Sequence, residues 1–117
     1  EAYGFSANDQ HKILARASGQ KNAEVEFYTG TSPKDAIEGS HVIYTDVWTS
    51  MGQESETETR KSAFQGFQVN EKLLELADRE AIVLHPMPVH YGEEMSLGML
   101  DHSQSRAYQQ AENRLHA

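Results

Sequence analysis

Two short runs of β-branched, aromatic and apolar residues, Val42-Ile43-Tyr44-Thr45 and Ala81-Ile82-Val83-Leu84, constrain this chain more than anything else in it. Each is too short for a helix and reads as a strand of the buried type. Helical segments alternate with them. Ser6, Asn8 and Asp9 can open a helix that Gly19 closes, with Ile13, Leu14 and Ala17 along one stripe. Ser32-Pro33 offers a hydroxyl cap followed by proline at the first helical position, and Gly39 ends that helix. Gln53 to Gln65 is helical in pattern but nearly bare of core residues. Its acids come early and its bases late, as the helix dipole favours, and Glu56–Arg60 has the supportive i,i+4 spacing. Asn70 caps a helix carrying Leu73, Leu74 and Leu76. A further strand is expected around Val25 and Phe27, loops over residues 85–105, a last strand from Arg106 to Tyr108, and a helix from Ala111 onward. Short strands alternating with helices predict an α/β fold: a parallel sheet with helices on both faces.

In such sheets ligands sit beyond the carboxyl ends of the strands. Three segments therefore matter: those after Thr45, after Leu84 and after Tyr108. The first is Asp46-Val47-Trp48-Thr49-Ser50-Met51-Gly52. Asp46 can bind an ammonium group, Ser50 can bind a carboxylate or orient a neighbour, and Gly52 permits close backbone approach. An Asp at a strand end is more often a turn or cap residue. The second is His85-Pro86-Met87-Pro88. Two prolines make a stiff, extended loop whose free carbonyls can hold an amide NH2, and His85 can serve proton transfer or charge stabilisation. The plainer reading is a stiff connector with a structural histidine. The third is Ala111-Glu112-Asn113-Arg114-Leu115-His116. It predicts Arg114 in the first turn of a helix, where a guanidinium beside backbone N–H groups suits phosphate.

Other function classes are excluded more firmly. Ten basic and eighteen acidic residues leave a net charge of −8 with no basic stripe, so no nucleic-acid footprint is expected. No apolar run approaches membrane-spanning length. Without cysteine there is neither a disulfide nor a thiolate metal site. The six histidines show no i,i+4 pair, so no metal is expected. Neither a phosphate-cradling glycine loop nor a G-x-S-x-G elbow occurs. The chain opens on Glu1 and closes within an expected helix, so residues 1–117 are read as one domain truncated at both ends.

The segments resemble the aspartate/ornithine carbamoyltransferase family, its ornithine branch above all. The likeness runs through Asp46-Val47-Trp48-Thr49-Ser50-Met51-Gly52-Gln53-Glu54 and Phe64-Gln65-Gly66-Phe67-Gln68-Val69-Asn70. It continues in His85-Pro86-Met87-Pro88, Gly92-Glu93-Glu94 and Ala111-Glu112-Asn113-Arg114-Leu115-His116-Ala117. The resemblance implies an incomplete second, amino-acid-binding domain of a cytoplasmic, trimeric enzyme of arginine metabolism, with neither metal nor organic cofactor. The family's phosphate-binding Ser-Thr-Arg-Thr motif, its domain's first strand and its long final helix have no counterpart in these residues.

What the resemblance implies for the site follows residue by residue. Asp46 would bind the α-ammonium of ornithine, with Ser50 and Met51 lining the same site. His85, Pro86, Met87 and Arg114 would bind carbamoyl phosphate: the carbonyls around Pro86 and Met87 take its NH2, and His85 supports the carbamoyl oxygen or the proton transfers. Asp46, His85 and Pro86 are thus the expected catalytic set, and the acidic helix from Gln53 would close over ornithine. One position departs from the pattern. The ornithine branch carries His-Cys-Leu-Pro, whereas Pro86 here gives the His-Pro-x-Pro of aspartate carbamoyltransferases. Another amine (putrescine, a modified ornithine or aspartate) therefore stays open beside ornithine, as does a catalytically silent binding module on the same fold.

Overall fold

The computed structural model describes residues 4–19, 26 and 28–116. Helix α1 spans Ala7–Ser18; α2, Pro33–Ile37; strand β1, Val42–Tyr44; α3, Thr57–Ala63; α4, Glu71–Leu74; β2, Ile82–Leu84; and α5, Ala107–Glu112. Single 3₁₀ turns lie at Glu54–Glu56, Met99–Asp101 and Asn113–Leu115. The expected strand around Val25 and Phe27 lies outside the described residues.

Three helix starts follow from their caps. The Ser6 hydroxyl accepts the Asp9 N–H at 3.2 Å, Ser32 accepts that of Asp35 at 3.4 Å ahead of Pro33, and Asn70 accepts that of Leu73 at 3.0 Å. β1 and β2 pair in parallel, Val42 with Ile82, Ile43 with Val83 and Tyr44 with Leu84. This is the parallel α/β arrangement that the alternating pattern predicts. Ser105 flanks β2 on the other side: the Val83 N–H donates to the Gln104 carbonyl and the Arg106 N–H to the Val83 carbonyl. Val83 is thus central and fully buried.

Three expectations need correction. The strand expected from Arg106 to Tyr108 is a single bridge at Ser105, after which α5 begins at Ala107. Ala-Tyr-Gln-Gln-Ala-Glu is rich in helix formers, and the Ser105 hydroxyl accepts the Ala107 N–H at 3.4 Å, which favours turning over extension. β1 is not buried on both faces: only Ile43 is, while Val42 and Tyr44 are 53% and 60% exposed. The helix expected over Gln53 to Gln65 divides into the 3₁₀ turn and α3, and neither buries a residue, as their polar composition predicts.

The core gathers Ile37, Ile43, Val69, Leu73, Leu74, Val83 and Ala107 with three residues of the loop-rich stretch, Met95, Met99 and Leu100. That stretch is fixed by backbone pairing. The Val69 N–H donates to the Glu94 carbonyl at 2.8 Å, and the Ser96 N–H donates to the Val69 carbonyl at 3.0 Å. Among the described residues, no helix is long and apolar enough to cross a membrane.

Candidate functional site

The parallel register sends two of the expected segments off the same sheet edge side by side. The Thr45 N–H donates to the Leu84 carbonyl at 3.1 Å, so the chain leaves β1 and β2 at matched positions. Asp46 follows on one side and His85-Pro86 on the other.

Asp46 is exposed, and its Oδ1 accepts the Val47 N–H at 2.7 Å, which turns the chain out of the strand. It lines a cleft of about 680 Å³ together with Thr45, Trp48, Arg60 and Phe64. Trp48 stacks on Phe64 with centroids 6.0 Å apart, and Phe64 meets Phe67 edge-on at 6.1 Å. Arg60 donates to the Trp48 carbonyl at 3.3 Å and pairs with Glu56 at 2.9 Å. The Asp46–Gly52 segment is therefore fastened to α3, the helix expected to close over a ligand.

At the far end of that segment Gly52 adopts φ 85°, the left-handed region that glycine tolerates. Its N–H donates to Glu54 Oε1 at 3.0 Å. That bond, then Glu54's own N–H, holds the exposed Glu54 carboxyl below its usual 4.5. The Ser50 N–H donates to Gln53 Oε1 at 3.3 Å. Ser50 is exposed, and Met51 is 97% exposed at the tip of the turn. An exposed apolar side chain held on a braced turn is available to a ligand or to another part of a larger protein.

The second segment is built from beneath. His85 is fully buried. Its Nδ1 accepts the Met87 N–H at 2.9 Å, so the ring proton sits on Nε2, which donates to Glu94 Oε1 at 3.0 Å. The same Glu94 oxygen accepts the His90 N–H at 2.7 Å, and Glu94 is itself fully buried. Met87 takes φ 63°, unusual for a residue with a side chain, and the Met87–Pro88 peptide is cis. Pro86 and Pro88 have no N–H, and that of Met87 is spent on His85. The polar groups this Pro-Met-Pro loop has left to offer are carbonyls.

Arg114 lies elsewhere than expected. It is exposed in the 3₁₀ turn after α5, not in a helix's first turn. The helix starts early, at Ala107, which places Arg114 at its far end, roughly 10 Å along the axis from that start. Helix ends present carbonyls rather than N–H groups, so the expected pairing of guanidinium and free amides is absent there.

One cluster among the described residues has metal-ligand character. His90, Glu93 and Glu94 bring ligand atoms within 4.8 Å of one another. Its carboxylates are already engaged: Glu93 pairs with Lys61 at 3.0 Å, an interaction that raises the Lys61 pKa, and Glu94 Oε1 holds His85 and the His90 amide. Sequence reasoning gave Glu94 no role. A contact between His85 and a residue nine positions on, across two prolines, leaves no periodic signal.

The family model for the aspartate/ornithine carbamoyltransferase Asp/Orn-binding domain matches residues 4–117. The ornithine carbamoyltransferase of Parasynechococcus marenigrum is 52% identical over 103 residues, covering 88% of this chain and 32% of that one. That of Trichormus variabilis is 47% identical over 113 residues, covering 97% and 36%. Among solved structures, the anabolic ornithine carbamoyltransferase of Campylobacter jejuni superposes with a TM-score of 0.86 at 29% identity, covering 98% of this chain and 37% of that one. The Thermus thermophilus ornithine carbamoyltransferase gives 0.69 at 44% identity, covering 90% and 31%. The chain spans about a third of the length of the curated relatives it matches.

Proposed function

The chain belongs to the aspartate/ornithine carbamoyltransferase family, and we propose that it is the amino-acid-binding domain of an enzyme carbamoylating ornithine. In that reaction the neutral δ-amine attacks the carbonyl carbon of carbamoyl phosphate. The C–N bond forms, the C–O bond to phosphate breaks, the attacking nitrogen gives up a proton to the departing phosphate, and citrulline and inorganic phosphate leave. The observation that carries this reading is the pairing of the two loops at one sheet edge. One presents the Asp46 carboxylate beside a cleft, and the other presents carbonyls while its amides are absent or engaged. A carboxylate suits an α-ammonium, and a row of acceptors suits the two N–H donors of a carbamoyl group.

Asp46 binds the α-ammonium, with Ser50 and Met51 beside it on the braced turn. The carbonyls around Pro86 and Met87 take the carbamoyl NH2, held in place by His85. Arg114 contributes its charge to carbamoyl phosphate, a role that rests on the family resemblance and not on its present surroundings. Rate comes from orienting two substrates and stabilising the oxyanion, so the proposal needs no metal or organic cofactor. The complete enzyme is proposed to be a cytoplasmic homotrimer in arginine metabolism. Pro86 favours a second reading, in which the acceptor amine is aspartate, putrescine or a modified ornithine.

Asp46→Asn in the full-length enzyme tests the reading. Losing a charge-assisted contact of about 1.5–3 kcal/mol lowers kcat/KM for ornithine roughly tenfold to hundredfold. The loss is expected to be much smaller for 5-aminopentanoate, which keeps the reacting amine and the carboxylate but lacks the α-ammonium. Equal losses for the two amines would make Asp46 a structural residue.

A further inference from the structure

We propose that Glu94 is a positioning residue, which sets the carbonyls of the Pro86-Met87-Pro88 loop by way of His85. The proposal rests on the carbamoyltransferase reading for what that loop binds.

The geometry is a brace with two arms. One arm runs from Glu94 Oε1 to His85 Nε2 at 3.0 Å, then from His85 Nδ1 to the Met87 N–H at 2.9 Å. The other runs from the same oxygen to the His90 N–H at 2.7 Å. Both halves of the loop therefore hang from one atom. That atom is itself fixed: Glu94 and Met95 are fully buried, and the Glu94 carbonyl takes the Val69 N–H at 2.8 Å. At the outer end of the first arm Met87 stands at φ 63°, a conformation that persists where surrounding structure over-determines it. The bond to its N–H supplies that constraint.

The chemistry of the group also matters. A carboxylate accepts and does not donate, so it selects the His85 tautomer with its proton on Nε2. Only that tautomer leaves Nδ1 free to accept from Met87. An apolar residue at 94 leaves the ring proton unplaced and the His90 amide without its acceptor. Glu94 Oε2 is buried with no hydrogen-bond partner. Burying a carboxylate oxygen unpaired is unfavourable for the fold, and packing alone would select an apolar side chain at this position. What Oε1 does for the loop accounts for its presence.

The test compares Glu94→Leu with Glu94→Gln in the full-length enzyme. Leucine keeps the bulk and removes the acceptor. Glutamine keeps an oxygen that can take the same two donors. Glu94→Leu is expected to raise KM for carbamoyl phosphate about tenfold or more while moving KM for the amine less than about twofold. Glu94→Gln is expected to restore the carbamoyl phosphate KM to within about threefold. Equal rises in both KM values in Glu94→Leu, unchanged KM values with only less folded protein, or a Glu94→Gln as impaired as the leucine variant overturns the proposal. A second measurement holds if the leucine variant does not fold. Nitrogen-15 spectra of histidine-labelled, unmodified enzyme should show His85 protonated at Nε2 and bare at Nδ1, and a proton on Nδ1 overturns the brace. An unmodified enzyme that carbamoylates no amine defeats the functional reading, and the ring spectrum then decides the brace alone.

Discussion

Given carbamoyl phosphate and ornithine, the isolated 117-residue polypeptide is expected to form no citrulline above a protein-free blank. Positioning supplies most of the rate in a reaction of this kind. Holding two reactants in line is worth effective molarities of about 10⁵–10⁸ M, and the whole of it is lost when one reactant has no site. In the proposed function the amine has a carboxylate at Asp46 and the carbamoyl group a row of carbonyls. For the phosphate the described residues offer little. The net charge of −8 repels a dianion, Arg60 is engaged with Glu56 and the Trp48 carbonyl, and Arg114 lies at the far end of α5. A polypeptide that also carries the family's Ser-Thr-Arg-Thr segment is expected to recover the reaction. Citrulline production by the isolated chain, measured colorimetrically against the blank, would show that this domain holds both substrates unaided.

Replacing Met95 by alanine is expected to destabilise the domain by about 2–5 kcal/mol, the usual range for truncating a large buried side chain to alanine. Met95 has no exposed surface, and its backbone bridges both Val69 and Tyr91. The cavity opens where the 85–105 stretch meets the core and where Glu94 is anchored. In a domain of this size each kcal/mol lowers Tm by about 4 °C, so thermal unfolding monitored by circular dichroism reads the effect directly. A shift of less than about 2 °C would mean that the loop-rich stretch contributes little to the core.

How much of this was legible in the sequence depends on the range of the interaction. Local signals read well. Ser32-Pro33 marks a helix start because the hydroxyl cap and the proline's φ act within one turn. The β-branched runs mark β1 and β2, and their parallel pairing follows from the helices between them. Longer contacts did not read. Ser105 gives only one bridge because α5 starts two residues later, and an Ala-Tyr-Gln-Gln run carries helix and strand signals together. Placing that helix start four residues late also misplaced Arg114. Val42 and Tyr44 look buried by composition, but their exposure depends on what lies across the sheet. The Asp46 and His85-Pro86 segments were singled out because strand ends concentrate function in parallel sheets, and the register does send them off the sheet side by side. The brace under the second segment was not singled out. It joins a histidine to a Glu-Glu turn through a loop whose path is set by two prolines and Met87's positive φ.

Pro86 makes the choice of amine the central question. The likeness of the Asp46–Gly52 turn to the ornithine branch supports ornithine, and the His-Pro-Met-Pro loop resembles that of aspartate carbamoyltransferases. The most direct measurement is kcat/KM of the full-length enzyme for ornithine, putrescine and aspartate, side by side at saturating carbamoyl phosphate. Ornithine is expected to exceed both others by about tenfold or more: putrescine lacks the carboxylate and with it one charge-assisted contact, and aspartate's one amine cannot both react and pair with Asp46. A preference for aspartate or putrescine would contradict the ornithine assignment, and a folded enzyme that carbamoylates none of the three would contradict the carbamoyltransferase reading itself.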